Sequence, residues 1–263
     1  MSETPALFSD GKAYERLMGR WSQRVGQEFL DWLALPKGLN WLDVGCGNGA
    51  FTETLIAHSA PAEVTGVDPS EGQLAYARTR PGAKLARFQL AGAQDLPFAD
   101  KSFDVAIMAL VISFVPDPAK ALSEMARVVR PGGMVATYMW DIPGGGLPVQ
   151  PINEAMRSMG LGYPLPPGAE VTRQDNMRAL WEKAGLQSVA TRAIRIRVEF
   201  SGFDDFWDSN SAPIGPSGKA INELSPAMRE QFKVELRKHL PQGADGRIAY
   251  ESFANAVQGR VPA

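Results

Sequence analysis

A chain of 263 residues with 44% hydrophobic and 21% charged residues holds enough apolar material for one domain-sized core plus an elaboration. Its acids and bases are interspersed and nearly cancel, to a formal net charge of −2, which argues against a nucleic-acid or anionic-membrane partner. The one cysteine, Cys46, excludes an intramolecular disulfide and fits a reducing, cytoplasmic setting.

Residues 1–11 carry neither a basic stretch nor an apolar run, so no signal peptide is expected. Residues 13–34 repeat Tyr14, Leu17, Met18, Trp21, Val25, Phe29 and Leu33 at helical spacing. A Pro36-Lys37-Gly38 turn launches a first strand near 40–44, and a helix is predicted from Phe51 to His58. Val64 to Val67 reads as a second strand, and Glu71 to Thr79 as a helix with Ser70 as N-cap. Leu85 to Leu90 is a third strand. Phe103 to Ala109 is a fourth, apolar almost throughout, as a strand covered on both faces requires. The longest apolar run, Val105 to Val115, is too short to span a bilayer and is broken by Ser113.

A helix from Pro118 to Val129, a stop at Arg130-Pro131-Gly132-Gly133 and a fifth strand from Met134 to Met139 follow. This alternation predicts a parallel sheet with right-handed crossovers. Residues 141–168 are rich in Pro and Gly and read as an irregular insertion with one short helix near 152–159. Beyond it, Thr172 to Ala184 reads as a helix capped by Thr172, and Gln187 to Phe200 as two strands meeting near Arg192. Phe203 to Ser209, Pro226 to Leu240 and Tyr250 to Gln258 are expected to be helical.

The chemistry concentrates where strand meets loop. Leu42-Asp43-Val44-Gly45-Cys46-Gly47-Asn48-Gly49 is a buried strand breaking into a turn of alternating glycines. Such a turn lets main chain approach a ligand, since no Cβ intervenes. About 20 residues later Val67-Asp68 ends the next strand on a carboxylate, placed to accept from the two hydroxyls of a ribose at the carboxyl edge of an α/β sheet. An acid at Asp43 would repel a pyrophosphate but suits an ammonium, which separates this pattern from the Gly-x-Gly-x-x-Gly turn of nicotinamide oxidoreductases.

With Gly66-Val67-Asp68-Pro69-Ser70, Asp95-Leu96-Pro97-Phe98 ahead of Ser102-Phe103-Asp104, and Val129-Arg130-Pro131-Gly132-Gly133, the glycine turn makes four blocks in order. Together they resemble class I S-adenosylmethionine-dependent methyltransferases, in particular the small-molecule group similar to quinone-biosynthesis C-methyltransferases. The resemblance covers about residues 13–200. It implies a Rossmann-like seven-stranded, mostly parallel sheet with helices on both faces and one antiparallel edge strand. It further implies an N-terminal helical flap (1–38), a cofactor-binding domain (39–200) with a lid insertion (141–168), and a C-terminal helical elaboration (201–263).

For the cofactor S-adenosylmethionine, the resemblance assigns Asp43 to the turn and the ammonium, and Gly45, Cys46 and Gly47 to the methionine moiety. Asp68 is assigned to the ribose, and Pro69, Ser70 and Gln73 to one face of the adenine. Ala93 and Gln94 fall at the adenine edge, and Met108 offers a backbone carbonyl to the amine. Tyr14, Met18, Arg20 and Trp21 form a flap in which Arg20 pairs with the methionine carboxylate, or else an amphipathic helix with Arg20 in solvent.

Two departures stand out. Ala91-Gly92-Ala93-Gln94 replaces the family's Gly-Asp-Ala-Glu, and Ser113-Phe114 replaces a frequent histidine pair. No catalytic base is assigned: His58 and His239 are the only histidines, and no metal-ligand cluster is visible. Tyr163, Trp140, Trp181, Phe206 and Trp207 are candidates for a substrate wall or for core, and Asp141 either faces the acceptor or starts the loop. The implied reaction is an in-line, metal-independent methyl transfer to a small-molecule substrate, with no nucleic-acid or membrane partner and a homodimer left open. The alternatives from other classes are a cofactor-binding module without catalysis and, behind it, a nicotinamide-dependent oxidoreductase.

Overall fold

The computed structural model describes residues 19–162, 165–213 and 215–263. In chain order the described helices and strands are α1 (Arg20–Leu33), β1 (Asn40–Val44), α2 (Ala50–Ser59), β2 (Glu63–Asp68), α3 (Glu71–Ala77), β3 (Ala86–Leu90), β4 (Phe103–Ala109), α4 (Pro118–Val128) and β5 (Val129–Trp140). They continue with α5 (Gln150–Ser158), α6 (Gln174–Lys183), β6 (Gln187–Phe200), α7 (Phe203–Asn210), α8 (Gly215–Glu223), α9 (Pro226–His239) and β7 (Ile248–Arg260).

The strands form one seven-stranded sheet in the order β3-β2-β1-β4-β5-β7-β6. β1 to β5 run parallel. β7 runs antiparallel to both β5 and β6, so the one antiparallel strand lies one place in from the edge and β6 takes the edge itself. The expected helix over Tyr250 to Gln258 is therefore strand β7, and the 201–263 region ends in the sheet rather than being helical throughout. Its alanines, Asn255 and Gln258 carry little intrinsic strand preference. Pairing on both sides, from Trp140↔Ala254 to Met134↔Arg260 and along the whole of β6, overrides that. Gln187 to Phe200 is likewise one strand and not two, with a register shift only near its start.

Alternation along the strands splits the core between the two faces of the sheet. Trp41, Val105, Ile107, Ala136 and Tyr138 meet α1 through Val25, Phe29 and Leu33, and the C-terminal helices through Phe206 and Phe232. Leu42, Ala106, Met108 and Val135 point the other way, onto Leu122 and Met125 of α4 and Met177 and Trp181 of α6. The Trp181 indole donates to the Val135 carbonyl at 3.0 Å, which satisfies the one polar atom it buries.

Helix starts follow local chemistry. Ser70 accepts from the Gln73 N–H and Asp117 from the Lys120 N–H, both as N-caps. Thr172 does not cap α6, which begins at Gln174. It closes a short 3-10 turn over Ala169–Thr172, where its hydroxyl donates to the Ala169 carbonyl at 2.7 Å and accepts from the Ile142 N–H at 3.1 Å.

The Asp95-Leu96-Pro97-Phe98 block is pinned to α4 by one ion pair. Arg127 donates to the carbonyls of Leu96 and Phe98 at 2.9 and 2.8 Å and to both oxygens of Glu124, whose Oε2 accepts the Leu96 N–H at 2.9 Å. The Arg127 hydrogen bonds hold the Glu124 carboxyl down at about 2, against an ordinary 4.5. A carboxyl depressed on folding stabilises the protein above its unfolded value, and that stabilisation is lost as pH falls through the folded one. Glu124→Gln is expected to cost about 1–2 kcal/mol at neutral pH. Urea unfolding should show the gap to wild type closing between pH 4.5 and 2.

Candidate functional site

The order of the sheet reverses between β1 and β4, and ligands of open α/β sheets sit at the carboxyl ends of the strands flanking such a switch. The parallel register Asp43↔Gly66 and Val44↔Val67 brings the residues after β1 opposite the end of β2. The turn then hangs on β2: the Gly45 and Cys46 N–H groups both donate to the Val67 carbonyl, at 2.7 and 2.9 Å. Asp68 completes the junction, accepting the Gly47 N–H on Oδ2 and the Ser70 N–H on Oδ1, each at 2.9 Å.

Gly45, Gly47 and Gly49 all have positive φ, at 76°, 51° and 78°, yet they serve different ends. A Cβ on Gly45 would lie 2.6 Å from Val111, and one on Gly49 3.0 Å from the Ala77 Cβ, so these two positions are filled by the protein. A Cβ on Gly47 would meet no atom of the described residues within 4 Å. Of the alternating glycines, Gly47 is the one the described residues leave open beside its backbone.

Asp43 lies beneath this turn, fully buried. Its Oδ2 accepts from the Thr52 hydroxyl at 2.6 Å, while Oδ1 has no partner among the described residues. Burial raises its pKa to about 7; the Thr52 hydrogen bond opposes this and the nearby Asp68 charge adds to it. Asp68 is also raised by burial, against the lowering effect of the Ser70 and Gly47 N–H groups. Burial pushes the Cys46 thiol up as well, and its sulfur packs 2.9 Å from where a Cβ on Gly66 would stand, so Cys46 fills space and is no nucleophile.

The remaining predicted residues separate. Pro69 and Gln73 flank the Ser70 cap beside Asp68. The Ala91 N–H donates to the Asp68 carbonyl at 3.2 Å, which brings the loop holding Gly92, Ala93 and Gln94 to the same edge, with open space around Gly92. Met108 does not leave β4: it is fully buried within the strand, and its carbonyl accepts the Thr137 hydroxyl at 2.6 Å. The residues that leave the strand are Leu110, strained at φ 61°, and Val111, which packs on Gly45. Tyr14, Met18 and Tyr163 lie outside the described residues, as does the Arg20 side chain.

Trp140, Trp181 and Phe206 are core, and Trp207 stacks on Phe203. Asp141 starts the loop, accepting from the Gly144 N–H and the Asn255 amide. His58 pairs with Asp31 and His239 with Glu235, neither against the turn. The periodicity gave no sign of Thr52, Val111 or Arg80. Thr52 stands three residues into the helix after the glycine turn, and that position was the available clue.

Residues 42–137 match the family described as a methyltransferase domain. The demethylmenaquinone methyltransferase of Staphylococcus aureus is 39% identical over 118 residues, 44% of this chain and 47% of that protein. Over these residues the chain is similar to methyltransferase domains. It spans about half the length of the curated relatives it matches. Among solved structures, phosphoethanolamine N-methyltransferase 2 of Haemonchus contortus, in complex with S-adenosyl-L-methionine, superposes with a TM-score of 0.60 at 18% identity, over 96% of this chain and 57% of that one. The cyclase SpnF superposes at 0.54 and 18%, over 92% of this chain and 81% of that one. These likenesses establish the methyltransferase-type fold and leave the reaction to the site. No described group of three or more His, Cys, Asp or Glu could hold a metal ion, and no described helix is long and apolar enough to cross a membrane.

A carboxyl raised on folding stabilises the protein below its unfolded pKa and loses that contribution as pH rises through the folded one, here from 3.8 to about 7. Asp43→Asn keeps an acceptor for Thr52 and removes the buried charge. Without ligand it should exceed wild type in stability by about 1–2 kcal/mol at pH 8, after the cost of a buried amide N–H. The advantage should vanish at pH 4, as read by chemical denaturation.

Proposed function

We propose that this chain binds S-adenosylmethionine and transfers its methyl group to a small organic acceptor without a metal. The observation that carries the reading is the convergence of three groups at the carboxyl ends of β1 and β2: an open backbone at Gly47, a carboxylate at Asp68 and an unpartnered buried carboxylate oxygen at Asp43. The residues fit the group. Asp68 spends one acceptor site per oxygen on backbone N–H groups, and a carboxylate has about four, so capacity remains for two ribose hydroxyls. The orphaned Asp43 oxygen suits the ammonium of an amino acid, reached directly or through water.

When bound, the sulfonium supplies a methyl carbon already activated toward a nucleophile. What remains for the protein is alignment and exclusion of water. Gly47 lets the backbone close on the methionine moiety, and Asp68 fixes the ribose. Pro69, Gln73, Ala93 and Gln94 border the adenine side. Tyr14 and Arg20 in the N-terminal flap, and the 141–168 insertion, are proposed as covers. The turn at Ile112–Phe114 carries no titratable side chain, so the reading assigns no catalytic base there. A single cysteine, Cys46, buried in the turn, fits a reducing, cytoplasmic setting. Gly92, standing where the resemblance expects an acid, favours the second reading of a cofactor-binding module without transfer.

Calorimetric titration with S-adenosylhomocysteine should give saturable binding, and Asp68→Ala should weaken it at least tenfold. Equal affinity in the variant would overturn the ribose assignment. Gly47→Ala should unfold close to wild type, losing about 1–2 kcal/mol from its φ, while abolishing binding. Gly45→Ala should be the more unstable of the two, because Val111 already fills its space. Incubation of labelled S-adenosylmethionine with a cell extract separates transfer from binding alone: a labelled small molecule is the expected product.

A further inference from the structure

The glycine turn is held from two sides, and one of them involves a residue outside every motif. The carbonyl of Asn48, a residue 6% exposed, accepts the Arg80 Nε–H at 2.6 Å. The guanidinium continues through Nη1 to Glu53 Oε2 at 2.9 Å, and the other oxygen of Glu53 accepts the Gly82 N–H at 2.8 Å. Arg80 is itself 8% exposed, lies over the Tyr76 ring, and packs its Cδ 3.4 Å from where a Cβ on Gly49 would stand. A buried guanidinium is stable only when its donors are matched, and here the matching groups are the turn carbonyl and the carboxylate of α2.

The connectivity gives this arrangement a consequence for binding. Asp68, just before α3, bonds the Gly47 N–H, and Arg80, just after α3, bonds the Asn48 carbonyl. Both ends of one short helix thus grip adjacent residues of the same turn. Without the Arg80 bond, Val67 and Asp68 would still tie Gly45 to Gly47 to β2, but the far side of the turn, at the Asn48–Gly49 peptide, would lose its tether to the segment after α3.

We infer that Arg80, together with Glu53, is a positioning residue for the cofactor: it fixes the glycine turn relative to the Asp68–Ser70 loop, so that the ligand meets a preformed slot. This rests on the cofactor reading above and adds to it a residue outside the groups assigned to the ligand. Because ordering the turn costs entropy, a turn already ordered binds more tightly than one ordered on binding. Lysine cannot replace the arginine, since one ammonium does not span the carbonyl and the Glu53 carboxylate with the fixed geometry of Nε and Nη1.

The test uses the full chain and S-adenosylhomocysteine, titrated at 10 °C, well below the unfolding temperature measured for each variant. Arg80→Ala and Arg80→Lys are expected to weaken binding at least tenfold, and added ethylguanidinium should restore affinity in Arg80→Ala but not in wild type. Glu53→Gln, which keeps the carbonyl bond, should fall in between. A folded Arg80→Ala that binds as wild type does, or a loss that ethylguanidinium leaves unchanged, overturns the inference. If Arg80→Ala fails to fold, Glu53→Gln decides: weaker binding supports the clamp and unchanged binding refutes it. Absence of binding by wild type itself would strike the cofactor reading instead.

Discussion

One carboxylate holds together the part of the molecule where the chemistry is proposed to occur. Asp68 accepts a backbone N–H on each oxygen, one from the glycine turn and one from the cap of α3, and so joins two loops that emerge from different strands. Charge-assisted bonds of this kind are the stronger sort. Their geometry depends on the register of β1 and β2, since the Val44↔Val67 pairing sets Asp68 across from Gly45. A slip of one residue would turn Asp43 and Asp68 to the wrong faces of the sheet. The extended pairing across the sheet, and the two hydrophobic layers above and below it, therefore act on the site by holding that register.

The same region gives up stability. A carboxylate is buried at Asp43 with one oxygen unpartnered, and Leu110 adopts a left-handed backbone without being glycine. Consistent local preferences are what make a fold robust, and breaks in that consistency cluster where a ligand is meant to complete the structure. Trp181, by contrast, has its buried indole N–H matched by the Val135 carbonyl, and the half-buried Arg127 finds four acceptors among Glu124 and the Leu96 and Phe98 carbonyls. A buried carboxylate is the costliest group to leave half-paired, and with the open backbone at Gly47 it is the physical ground for placing a ligand at the end of β1.

Much of this was legible in the residues. The parallel strands announced themselves as apolar runs, and Phe103 to Ala109 is read to the residue because a strand covered on both faces tolerates little else. Asp43, the glycines and Asp68 were visible because turn chemistry and strand ends are local properties. The Ser70 cap was visible for the same reason. β7 was not: Ile248–Arg260 pairs with partners on both sides, while Ala249, Ala254, Asn255, Ala256 and Gln258 dilute the local strand preference of Ile248, Tyr250, Phe253 and Val257. The end of β4 carries no local mark either, since Met108 and Ala109 stay in the strand through pairing with Thr137 and Tyr138 of β5. Arg80 was invisible because its partners, Asn48 and Glu53, become neighbours only after α3 folds back.

The claim at the centre is that Asp68 and the bare backbone of Gly47 form one receptor for an adenosyl group. A crystal structure of the chain with S-adenosylhomocysteine examines it most directly. The account predicts both ribose hydroxyls within hydrogen-bonding distance of the Asp68 carboxylate, and the methionine moiety against Gly47, with the Asp68–Gly47 bond intact. Electron density for the ligand at another edge of the sheet, or an Asp68 carboxylate that makes only its two backbone bonds in the complex, would contradict it.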